Sequence, residues 1–319
     1  MAMTLSVGAA AAGRAGMLPL RAVARVPLSG PSVRFDYENF DPSNGWLWIS
    51  HMDASQLLAF GTKQRRIVRT VSVPGVHGVI AVPALGRVYA SATNVREVFT
   101  IDARSGRILA RAPAGQYPDG LAYDPVQRHV FISDESGGVE TVINTAGHRL
   151  ATIPLGGSAG NVQYDSGSHH ILVDVQTQNQ IAVIDPRTNQ IVRRIAVPHC
   201  TSDHSLYVDS PHRLAFITCD GNGMLLTLDL RTMRFTGVFR VGATPDVLAF
   251  DPSLHRLYVS AESGTLAVFA ETTHSLDPLG TGFLASEAHT VAVDPSTHLV
   301  YFALQSGTAG APQLLIMKP

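Results

Sequence analysis

Short apolar runs bounded by turn residues succeed one another along the chain, and they recur as a unit. The unit is clearest at 116–133, QYPDGLAYDPVQRHVFIS: a polar approach, a short apolar strand, an Asp-Pro turn, then a second strand carrying an aromatic residue. The turn position falls at Asp41, Val82, Asp124, Asp165, Asp209, Asp251 and Asp294, and seven residues after each come Trp48, Tyr89, Phe131, Leu172, Phe216, Tyr258 and Tyr301. Successive turns lie 41, 42, 41, 44, 42 and 43 residues apart. Alternation in such short runs predicts strands, about four per repeat. One small twisted sheet cannot bury both faces alone, so the copies must stack around a common axis as blades of an all-β propeller. Seven copies predict seven four-stranded blades.

The pattern places strands of blade one at 33–40, 46–51, 57–60 and 67–73. Inner strands of the following blades are expected at 79–82, 120–123, 162–164, 206–208, 247–250 and 290–293. The outer strand of blade six, near 275–279, has the weakest pattern. Blade seven continues with 299–304 and 314–317 and then lacks a strand, while 21–28 alternates without a blade of its own. Pairing 21–28 with 314–317 closes the ring and removes two exposed edges.

The 319 residues are 45% hydrophobic and 15% charged, ample for one large core, and the repeat makes 21–319 a single domain. A net charge of −1 gives no basic field for nucleic acid, and no apolar run reaches the ~18 residues of a membrane span. Residues 1–20 are small and apolar but lack an early Lys or Arg, and Arg14 interrupts them. They read as a disordered lead-in or as the remnant of an export signal to the periplasm or exterior. The chain is expected to act as a monomer.

The segments YPDGLAYDPVQRHVFIS, IAVIDPRTNQIVRRIAV, LYVSAESGTLAVF and AHTVAVDPSTHLVYFAL resemble the YVTN-type, YncE-like seven-bladed propellers, over nearly the whole of 21–319. Val82 in place of the turn Asp, and Asp165-Ser166 without the Pro, depart from that pattern. The resemblance implies the fold and is weak for activity, since such propellers include many exported proteins and the wider fold hosts binders, lyases and lactonases.

Inner strands line a propeller's channel, so equivalent positions form a ring. Five residues before each turn stand Asp36, His77, Asp119, Gly160, His204, Asp246 and His289. Each Asp taken alone reads as turn chemistry and each His as a packing residue, but three of each at one repeat position form a candidate site. The histidines are spaced almost evenly around the ring and can converge on its axis, which makes His77, His204 and His289 candidate ligands for a divalent ion such as zinc or, where the wide channel holds them too far apart for that, contacts for a ligand or water. The ends of the second strands add His51, Asp134, Glu135, Asp220 and Glu262 to the mouth, and His199 and Asp203 are expected to overhang it; each also reads as a solvated loop residue. Cys200 and Cys219, the two cysteines, belong to the same face of blade five. In an exported chain they would form a disulfide; otherwise they are two separate thiols.

There is no Gly-rich phosphate loop, Cys-x-x-Cys pair, His-Glu-x-x-His helix or nucleophile elbow. Two functions follow. One is binding of a small molecule or peptide at the channel mouth, with His77, Asp119, His204, Asp246, His289, Asp36, His51 and Glu262 as contacts. The alternative is a metal-dependent lyase or lactonase-like hydrolase using the channel histidines.

Overall fold

The repeats form seven antiparallel sheets of four strands each in the computed structural model, which describes residues 17–307 and 310–319. Blade three shows the plan: inner strand Pro118–Asp124, then His129–Asp134, Val139–Asn144 and outer strand Arg149–Pro154, hydrogen-bonded in that order. Among the described residues no helix is long and apolar enough to cross a membrane.

Blade seven is closed by the other end of the chain. Arg21–Pro27 pairs antiparallel with Gln313–Lys318, Arg21 opposite Lys318 and Pro27 opposite Gln313. The weakly patterned outer strand of blade six is Leu276–Phe283, eight residues long. Inner strands Val76–Val82 and Pro118–Asp124 begin before their apolar pattern does, because backbone pairing resumes beyond a break in register. In blades one and seven the regular inner strands are shorter than expected, Glu38–Asp41 and Ala292–Asp294. Of the lead-in, residues 1–16 lie outside the described residues. Leu18 and Leu20, at its end, are partly buried against the core between blades six and seven.

Successive side chains on a strand face opposite ways, and here both ways lead to a neighbouring blade. Leu47 and Ile49 pack with blade seven, whereas Trp48 between them packs with blade two. The same division gives every blade interface its own apolar cluster. The series from Trp48 to Tyr301, aromatic except at Leu172, is buried throughout, each member packed with the next blade. Burying one such side chain contributes roughly 1.5–3 kcal/mol. The turn aspartates do local work: Asp41, Asp124, Asp165, Asp251 and Asp294 each accept the backbone N–H two residues on.

Candidate functional site

The ring residues sit at a β-bulge repeated in the inner strands. In blade three Pro118 pairs with Asp134 and Leu121 with Ile132, leaving Asp119 and Gly120 opposite Ser133 alone. Blades two, four and six shift register at the same place, and in blade five His204 is left over between Asp203–Cys219 and Ser205–Thr218. In blade one the Asp36 N–H donates to Ser50 O, and the Ser50 N–H donates to Tyr37 O. A bulge bends its strand and re-aims the side chain there, which turns this position into the channel. Close packing holds the bulges in place. Ser91 Oγ accepts the Gly78 N–H and donates to Asp119 O, both at 2.7 Å, and a Cβ on Gly78 would stand 2.2 Å from that oxygen.

Acid and base alternate around the ring, and neighbours pair. His77 Nε2 lies 3.1 Å from Asp36 Oδ2 and 3.6 Å from Asp119 Oδ1. His204 Nε2 lies 3.2 Å from Asp246 Oδ1. His289 Nε2 donates to Phe35 O at 3.0 Å, with Asp246 at 3.8 Å. Arg34 joins three carboxylates: Asp36 at 3.1 Å, Glu262 at 2.9 Å and Asp246 at 3.6 Å. Burial by itself disfavours the cationic histidines, but Asp36 and Asp119 raise His77 to about 9. The hydrogen bond and charge of Asp246 likewise raise His204 to about 10. The same pairs overcome burial at Asp36 and Asp246 and hold both below the usual carboxylate range. Asp119 goes the other way, pushed up to about 6 by burial.

Above the ring opens a cavity of about 360 Å³, lined by Arg34, Met52, His77, Tyr117, Asp119, Glu135, Gln176, His204, Asp220, Thr244, Asp246 and Glu262. Four of the six titratable ring residues therefore line it, while Asp36 and His289 lie behind them, each 1% exposed. His51 and Asp134 do not line it. They stand one residue before the lining position of the second strand, so alternation turns them away. His51 stacks on Phe35 with centroids 4.0 Å apart, and Asp134 accepts the backbone N–H groups of Gln116, Tyr117 and Gly137. Nor does Asp203, which is fully buried, or His199, an exposed turn residue at φ 59°. Arg34, Tyr117 and Thr244 escaped the sequence reading although they share one repeat position, seven before the turn; Met52 and Gln176 share that of Glu135, eleven after it. Cys200 and Cys219 form a disulfide with Cα atoms 5.4 Å apart, anchoring the approach to His204.

Among the described residues, His77, His204 and His289 are not a group whose donor atoms all lie within 4.8 Å of one another. His77 lies beside Asp36 of blade one, and His204 and His289 beside Asp246 of blade six; with a proton held on His77 and on His204, those two imidazoles repel a metal ion. Among the described residues at the mouth, Asp246, Glu262 and His289 are the set whose donor atoms lie within 4.8 Å of one another. Zinc suits such donors, but the Arg34 guanidinium already bonds both carboxylates.

No protein-family model and no curated protein sequence matches the chain. Solved structures do match in fold. The chain is similar to the WD40 repeats of RRP9, with a TM-score of 0.78 at 12% identity over 93% of this chain and 99% of that one. It is also similar to hydrazine synthase of Kuenenia stuttgartiensis, with a TM-score of 0.71 at 12% identity over 90% of this chain and 96% of that one. Identity this low speaks for the seven-bladed fold alone.

Proposed function

We propose that the protein is an exported, YncE-like propeller that binds a small amine-bearing molecule at the channel mouth as a monomer, without chemistry. The charge distribution of the cavity carries this reading. Five carboxylates line it against Arg34, His77 and His204. Arg34 satisfies Asp246 and Glu262 on one side, whereas Glu135 and Asp220 on the other have no ion-pair partner among the described residues. An open acidic wall facing a fixed, internally paired floor favours a cation that brings its own hydrogen-bond donors. Export is supported by the Cys200–Cys219 disulfide, since such bonds persist in oxidising compartments.

The test is calorimetric titration with ethanolamine, agmatine and glucosamine, with glucose and gluconate as neutral and anionic counter-probes. At least one amine should bind, and Glu135→Gln with Asp220→Asn should weaken it by roughly tenfold or more, the scale of a lost charged hydrogen bond. Preference for gluconate, no binding of any amine, or an unaffected double variant would each sink the reading. A metal-dependent lyase or lactonase-like hydrolase is the second reading, favoured by the mutual reach of Asp246, Glu262 and His289. It requires Arg34 to yield its place to the ion, which is why binding ranks first.

A further inference from the structure

We propose a second, separate site: a divalent transition metal of the zinc class clips blades five and six together on the face opposite the channel mouth, held by His212, His255 and Glu271, with Asp209 beside them. Asp209 and His212 belong to the turn after the inner strand of blade five and His255 to the matching turn of blade six; Glu271 ends the third strand of blade six, Thr265–Glu271. The donor atoms of the two histidines and Glu271 all lie within 4.8 Å of one another. Glu271 Oε2 is 3.3 Å from His212 Nδ1 and 3.1 Å from His255 Nδ1. In a tetrahedral site with bonds of ~2.0–2.1 Å, neighbouring ligand atoms stand roughly 3.3 Å apart, so both Glu271–histidine distances already have ligand spacing. Two imidazoles and a carboxylate suit zinc and its neighbours in the first transition row, with one position left for Asp209 or water.

Independent observations point the same way. The Glu271 side chain is only 2% exposed, yet its Oε1 has no hydrogen-bond donor. Beside it, Asp209 departs from its repeat. The other turn aspartates accept the N–H two residues on, but here that residue is Pro211, which has none. The Asp209 carboxylate turns instead to His212 Nδ1, 2.6 Å away, and stands within hydrogen-bonding reach of Glu271. Two buried acids thus share a corner in which no Lys or Arg, among the described residues, forms an ion pair with either. A metal ion would replace the imidazole Nδ1 protons and neutralise both acids. His212 and His255 are about half exposed, which leaves the ion a way in.

The test is equilibrium dialysis of chelator-treated full-length protein against zinc, followed by zinc-edge absorption spectroscopy of the loaded protein. One tight equivalent should bind with two imidazoles per zinc. Glu271→Gln, and separately His255→Asn, should lose it; Asn is chosen because His255 sits at φ 51°, a region Asn tolerates. Glu262→Gln, at the channel mouth, should retain it. Binding of no zinc, one imidazole per zinc, or full retention in Glu271→Gln overturns the proposal. The spectroscopic count needs only wild-type protein, so a variant that fails to fold does not rescue it.

Discussion

At the scale of single residues, the ring is a set of buried charges that stabilise one another only as partners. His204 shows the consequence for pH. Its folded value of about 10 lies above the ~6.5 of an unfolded histidine, so the folded chain keeps a proton that the unfolded chain has lost. The resulting stabilisation is complete below about pH 6.5 and is lost as pH rises through about 10. His77, at about 9, acts in the same sense. Urea denaturation of the wild type between pH 7 and 9 should therefore show stability falling as pH rises, by at most roughly 1.4 kcal/mol per pH unit for each histidine. In His204→Asn the slope should shrink, with Asn still able to donate to Asp246. An unchanged slope would mean that His204 is not protonated in the folded chain.

At the scale of elements, Arg21–Pro27 and the bulges matter most. The strand Arg21–Pro27 is largely exposed itself, yet it covers the edge of Gln313–Lys318, whose side chains are nearly all buried. Deleting residues through Leu28 should lower the calorimetric melting temperature and produce aggregates on size-exclusion chromatography, because an unpaired edge accepts strands from other molecules. A truncated chain that melts with the wild type and stays monomeric would show that closure does not depend on this strand. The bulges explain why so short a repeat builds a polar site. They break the ladder at the one place where charged side chains must leave the blade interface for the channel.

For the whole molecule, each blade lends half of two cores, so none has a core of its own. Unfolding should be a single event. Both tryptophans, Trp46 and Trp48, lie in blade one, across the ring from the disulfide of blade five. Tryptophan fluorescence and the near-ultraviolet circular dichroism of the disulfide region should therefore give one denaturation midpoint. Separate midpoints would show that blades unfold independently, as in an open repeat array.

Blade number, strand order, closure by the chain ends and the shared ring position were all legible in the sequence, because each is a periodicity or a spacing that every repeat states again. The even spacing of His77, His204 and His289 was legible too, but not the carboxylate beside each of them, Asp36 for His77 and Asp246 for both His204 and His289. On a ring the nearest neighbours belong to adjacent blades, so His77 meets Asp36 and Asp119, and His204 meets Asp246, before any histidine can meet another. Arg34 has no charged basic counterpart at its repeat position, and its three carboxylates come from blades one and six, which are far apart in the chain. His51 and Glu262 looked equivalent as strand ends, yet a single residue of register sends one into the core and the other to the cavity. Local pattern is set by the backbone's own period; partnership between charges depends on distances that exist only once the ring is closed.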